Sequence, residues 1–117
     1  MSHKALLIEE IRRLREDAAT LYETAQAELR RSPLLERPVS EMTNAAIAIA
    51  MSNQALILAT FSTGLNDVGN LARDWDRITR PISRPQRDCV DPISQTESAL
   101  AAVSEQILEI FRRYQTG

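Results

Sequence analysis

His3 is the one histidine and Cys89 the one cysteine in a chain of 117 residues, and that scarcity limits the chemistry at the outset. Zinc and di-iron sites in helical proteins need several His, Cys or Glu ligands converging. His3 stands alone near the start of the chain, and no Glu-x-x-His occurs anywhere. Cys89 has no partner for an intrachain disulfide. Arg84 and Arg87 would lower its thiol pKa, whereas Asp88 and Asp91 oppose that, so it reads as an incidental thiol. There is no glycine-rich phosphate loop and no Ser or Thr with a base placed to activate it. The expectation is a protein that is not an enzyme and holds no metal and no cofactor.

Two polar features remain. Arg73, Arg77, Arg80, Arg84 and Arg87 recur at steps of four and three, which on a helix makes a basic stripe suited to an anionic partner. Pro81 and Pro85 interrupt the stripe, and Asp74, Asp76 and Asp88 offset it, so a solvated helix end is the plainer reading. The second feature is Gln54, the one polar residue in an otherwise apolar series. It reads as a register-setting residue of the kind found in coiled coils.

That series belongs to the stretch 41–80, the longest pattern in the chain. Ile47, Met51, Gln54, Leu58, Phe61, Leu65, Val68, Ala72 and Trp75 follow alternating steps of four and three, the period of helices packed side by side. No charged residue occurs from Met42 to Asn66. A second apolar set (Ala46, Ile49, Ala50, Leu56, Ile57) covers much of the remaining face, so this half is expected to be buried or to lie against another hydrophobic surface. The run is long enough to span a bilayer. However, Thr43, Asn44, Ser52, Asn53, Gln54, Thr60, Ser62 and Thr63 are spread through it, so no transmembrane span is expected.

The prolines divide the rest. All 5 lie in 32–40 or 81–92, and the three remaining segments each carry helical periodicity. Helix one is expected over 3–31, with a seam of Leu7, Ile11, Leu14, Ala18, Leu21 and Ala25 and a charged opposite face. Arg30 and Arg31 sit where the helix dipole favours cations, and Pro33 stops the helix. Leu34 and Leu35 are expected to fold back over the end of the bundle. Helix two is expected over 41–80 with Ser40 as its cap; Gly64 and Gly69 could break it, but the seam keeps its phase across both, favouring one helix with a bend. Helix three is expected over 92–115, starting at Pro92 after Asp91 or at a Ser94–Glu97 capping box. The linkers are then 32–40 and 81–91.

The fold class expected is therefore all-α: one domain, a three-helix bundle or long helical hairpin. A helix over 41–80 would be about 60 Å long, whereas a compact chain of this size has a radius of gyration near ~13 Å. Completion by homodimerisation, in coiled-coil-like packing, resolves the mismatch. The dimer or partner surface is expected at Leu7, Ile11, Leu14 and Leu21 on helix one and Leu58, Phe61, Leu65, Val68 and Trp75 on helix two. Contact with an apolar surface would fall to Ile49, Leu56 and Ile57.

Composition sets the remaining bounds. A hydrophobic share of 44% and a charged share of 26% are ordinary for a soluble domain. The formal net charge of −2 argues against a dedicated nucleic-acid binder. A single cysteine and the absence of a signal-peptide pattern at the N-terminus point to the cytoplasm. Lys4 is the only lysine among 14 Lys and Arg, a bias that reads as the genome composition of a G+C-rich bacterium.

Met51-Ser-Asn-Gln-Ala-Leu-Ile-Leu-Ala, followed by Asn70-Leu-Ala-Arg-Asp-Trp75, a short linker and an amphipathic last helix, resembles a phasin. Phasins are the small helical proteins that coat bacterial polyester storage granules. The resemblance covers about two thirds of the chain and is one of texture, without a diagnostic motif. It implies an all-helical oligomer, no catalysis and an apolar surface that adsorbs to a granule or a lipid layer. The reading taken from the residues themselves is broader: a helical interaction protein whose apolar seam binds another protein, as a chaperone, adaptor or assembly subunit does.

Overall fold

A computed structural model describes residues 3–61, 71–83 and 92–114. Among these residues the chain is all-α, with four helices and no strand: α1 (His3–Arg31), α2 (Glu36–Phe61), α3 (Leu71–Ser83) and α4 (Pro92–Arg113). α1 has the expected bounds, with Arg30 and Arg31 in its last turn. α4 begins at Pro92, where a missing N–H costs nothing because the first turn has no intrahelical acceptor for it. α2 starts earlier than expected, at Glu36, because Pro38 is tolerated inside a first turn for the same reason.

The single helix expected over 41–80 is instead two, α2 and α3. Leu58 of α2 and Trp75 of α3 line one small cavity, whereas on one straight helix they would stand about 25 Å apart. The reason is energetic. A rod would leave its apolar seam in water, while folding α3 back lets Leu71, Ala72 and Trp75 join a core with Met51, Ala55 and Ala59. The glycines weighed as a break, Gly64 and Gly69, lie outside the described residues.

α1 and α2 form the most extensive pairing, an antiparallel hairpin. Its register is marked at three levels: Lys4 Nζ donates to the Thr60 carbonyl at 3.2 Å, Arg15 donates to Asn53 Oδ1 at 3.1 Å, and Arg37 meets Glu28 at 2.8 Å. That last contact raises the Arg37 pKa, chiefly through its hydrogen bond to Glu28. The buried face of α2 is built of small residues, Ala45, Ser52, Ala55 and Ala59. These spacings make a second seam with helical period, on which α1 lays Leu7, Ile11, Ala18 and Ala25. Ser52 lies inside this seam because its hydroxyl donates to the Ala48 carbonyl at 2.6 Å.

α3 and α4 pair with each other and close over one end of the hairpin. The Trp75 indole N–H donates to the Ser104 carbonyl at 3.0 Å, and its ring meets Phe111 edge-on at 5.8 Å. Ser104 Oγ donates to Thr79 Oγ1 at 2.9 Å, and Thr79 Oγ1 donates to the Trp75 carbonyl at 2.7 Å. The α4 C-terminus is tied to α1 by the Arg113–Glu10 ion pair and by the Tyr114 ring against His3. A hydrogen bond to Glu10, then burial, raises the Tyr114 pKa.

One core results: Leu7 and Ile11 of α1, the Met51–Ala59 half of α2, Leu71 and Trp75 of α3, and Ile107 to Phe111 of α4. No residue of 15–46 belongs to it or packs against it from the partly buried set. Among the described residues that stretch, the far half of the hairpin, is an arm of α1 and α2 outside the shared core. The molecule is accordingly long and thin, 51 × 34 × 19 Å with a radius of gyration of 15.8 Å. Leu34 and Leu35, expected to cover the end of a bundle, are instead exposed at the tip of the arm, Leu34 by 96%; among the described residues the shared core ends short of them.

Candidate protein-docking face

The residues expected to form a dimer or partner surface divide three ways. Leu7, Ile11 and Trp75 are interior, each 2% exposed or less, so in the folded protomer they have no face to offer a partner. The same apolar period that suggested an intermolecular seam is satisfied within the chain. Leu14 and Leu58 are half-buried against that core. Leu21 and Phe61 do face outward, by 62% and 75%. Leu65 and Val68 lie outside the described residues.

The residues considered for an apolar surface separate similarly. Ile57 is 53% exposed, while Ile49 and Leu56 are half-buried. On α3, Arg77 pairs with Asp74 at 3.5 Å and Arg80 pairs with Asp76. Arg73 is exposed and also engaged. The stripe is thus largely neutralised on its own helix; Arg84 and Arg87 lie outside the described residues. Among the described residues no cluster of His, Cys, Asp and Glu could hold a metal, and no buried side-chain polar atom lacks a hydrogen bond.

What the fold leaves outward is one side of α2. Its exposed positions from Thr43 onward are Thr43, Asn44, Ala46, Ala50, Asn53, Gln54, Ile57, Thr60 and Phe61, none of them charged. Val39 extends the strip by one turn and is also half exposed. From Val39 to Phe61 the strip is about 33 Å long. α2 is also long and apolar enough to cross a membrane by length and composition, and only 28% of its most apolar window is buried.

The strip has different ends. At its start a groove of about 260 Å³ opens between the two helices of the arm, lined by Tyr22, Leu29, Val39, Met42, Thr43 and Ala46. At its finish Ile57 and Phe61 project. Beside them, Gln54, Ile57, Leu58, Trp75 and Ile78 line a smaller hollow of about 140 Å³. Gln54 is therefore a surface residue at the rim of an apolar hollow, outside any buried seam.

The expected seam of α2 packs inward in part: Met51 is buried in the core and Ile47 and Leu58 pack against it, while Gln54 is exposed. Beside it the hairpin buries a second, small series, Ala45, Ser52, Ala55 and Ala59, at a similar helical spacing. Small residues at a sustained three-four period are a signal for close helix approach, and they were the available clue. Compared with family models, with curated proteins and with solved structures, the chain matches none.

Proposed function

We propose that this is a non-catalytic helical docking protein that binds another protein chain through the uncharged outer face of α2. One observation carries the reading: nine exposed positions on α2, from Thr43 to Phe61, hold no Asp, Glu, Lys or Arg. In a chain with 26% charged residues such a face is anomalous if it stays in water. Contiguous uncharged surface with projecting apolar side chains marks an interaction site. An apolar helix or helix pair is the complementary partner, received in the helix-in-groove manner.

The test is Ile57→Glu with Phe61→Glu. Both side chains project from the protomer, so helicity by circular dichroism should stay unchanged. A chain crosslinked to the wild type in cells and lost from the still-helical variant is the expected outcome. Identical crosslinked sets for the two proteins would overturn the reading.

A second reading rests on the same face: a phasin-like coat on a polyester granule or another apolar surface. Its support is the low burial of a helix apolar enough to enter a membrane. Flotation with polyester or oil particles separates the two. Wild type that floats, beside a double variant that stays in solution, favours the coat; wild type that stays in solution removes it.

A further inference from the structure

We infer that the occupant of the α2 face is a second copy of this chain, docked antiparallel about a two-fold axis passing near Ala50. The inference rests on the reading of that face as a docking surface and goes beyond it by naming the partner. The reason is self-complementarity. The groove at one end of the strip centres near Met42, and the projecting pair Ile57 and Phe61 stands at the other. Midway between them is Ala50, itself exposed. A two-fold there turns the strip onto itself. Each copy's Ile57–Phe61 end then comes to the other's Val39–Met42 end, so both projections and both grooves are used at once. This is the isologous arrangement that closes a dimer without leaving a sticky end.

The middle of the strip suits the contact. Ala46 and Ala50 carry little beyond a methyl, so two α2 axes can approach to about 8 Å. No residue of the strip is charged; Arg15 and Lys4 reach it only at its edge, on Asn53 Oδ1 and the Thr60 carbonyl, where each charge is hydrogen-bonded. Antiparallel axes also oppose the two helix dipoles.

The arm, a pair of helices among the described residues, becomes one half of a four-helix layer.

The experiment is solution mass by light scattering at about 100 μM, with helicity checked on every variant. The wild type should weigh twice the 13.1 kDa of the chain. Ala50→Arg leaves the protomer intact because Ala50 is exposed, yet places two guanidiniums together across the axis. It should weaken the dimer at least about 100-fold, and Ala50→Glu should do the same. Mixing the two should restore the dimer, since only at a two-fold does a residue meet its own copy.

A monomeric wild type, or a dimer indifferent to Ala50→Arg and to Phe61→Asp, overturns the inference. A mixture that stays monomeric while both variants remain helical overturns the two-fold at Ala50. A monomeric wild type that still loses a crosslinked partner on Ile57→Glu, Phe61→Glu overturns the second copy while leaving the docking face standing.

Discussion

Trp75 shows how much of this fold depends on one side chain. It is the only tryptophan, it is 2% exposed, and it fastens α3 to α4 by a hydrogen bond to Ser104 and an edge contact with Phe111. α3 spans 13 residues, too few to stay helical alone in water. Trp75→Ala should therefore cost about 3–5 kcal/mol, a large share of the ~5–15 kcal/mol typical of a domain. Urea unfolding followed by circular dichroism measures it; a loss under 1 kcal/mol would mean α3 is held elsewhere. In the sequence Trp75 was legible as a residue on the apolar phase of a helix, and it is buried as that phase requires. Its neighbour was not legible. A period reports which side of a helix is apolar and says nothing of which helix covers it, so Trp75 was assigned to a surface when α4 already encloses it. Leu21 is the converse: it shares a phase with the buried Leu7, Ile11 and Ala18 yet is 62% exposed, because it lies on the stretch of the hairpin outside the shared core.

At the scale of elements, the α1–α2 hairpin depends on what its seam lacks. Ala25, Ala55 and Ala59 are fully buried, and three contacts with defined register (Lys4–Thr60, Arg15–Asn53, Glu28–Arg37) hold the helices in step along their length. The ion pair among them has its arginine exposed, so water screens it and it adds little. Close packing against small residues supplies most of the rest. Ala55→Leu, a substitution that raises helix-neutral hydrophobicity elsewhere, should here force the axes apart and destabilise by about 1–3 kcal/mol. Ala50→Leu, one face away and exposed, should leave the protomer's stability within about 0.5 kcal/mol. Thermal unfolding of the pair at low protein concentration compares them; equal effects would refute the small-residue seam. The bounds of α1 and the start of α4 could be read from Arg30–Arg31, Pro33 and Pro92, since caps and breakers act locally. The division of α2 from α3 could not. Apolar phase continued across Gly64 and Gly69 because both helices have a buried side, and continuity of phase does not require continuity of the helix.

For the whole molecule, the decisive asymmetry is between a four-helix end with a full core and a two-helix arm without one. Between Ala18 and Ala45 the chain fully buries only Ala18, Ala25, Pro38 and Ala45, with Tyr22, Leu29 and Met42 half-buried, so this region draws less stability from apolar burial than the four-helix end. Opening of such a region takes less free energy than global unfolding. Amide hydrogen exchange therefore should not be uniform. Peptides from 51–59, 71–79 and 104–111 should exchange slowly at every concentration, because their protection comes from within the chain. Peptides from 18–31 and 36–49 should be protected at about 100 μM, when a second copy covers the arm, and lose that protection on dilution. The concentration at which they lose it should match the dissociation measured by light scattering, since one event underlies both. In Ala50→Arg the arm should exchange fast at all concentrations while the four-helix end is unchanged. An arm protected equally in dilute and concentrated wild type would mean that the hairpin is self-sufficient, and the thin, elongated protomer would then need no partner to be stable.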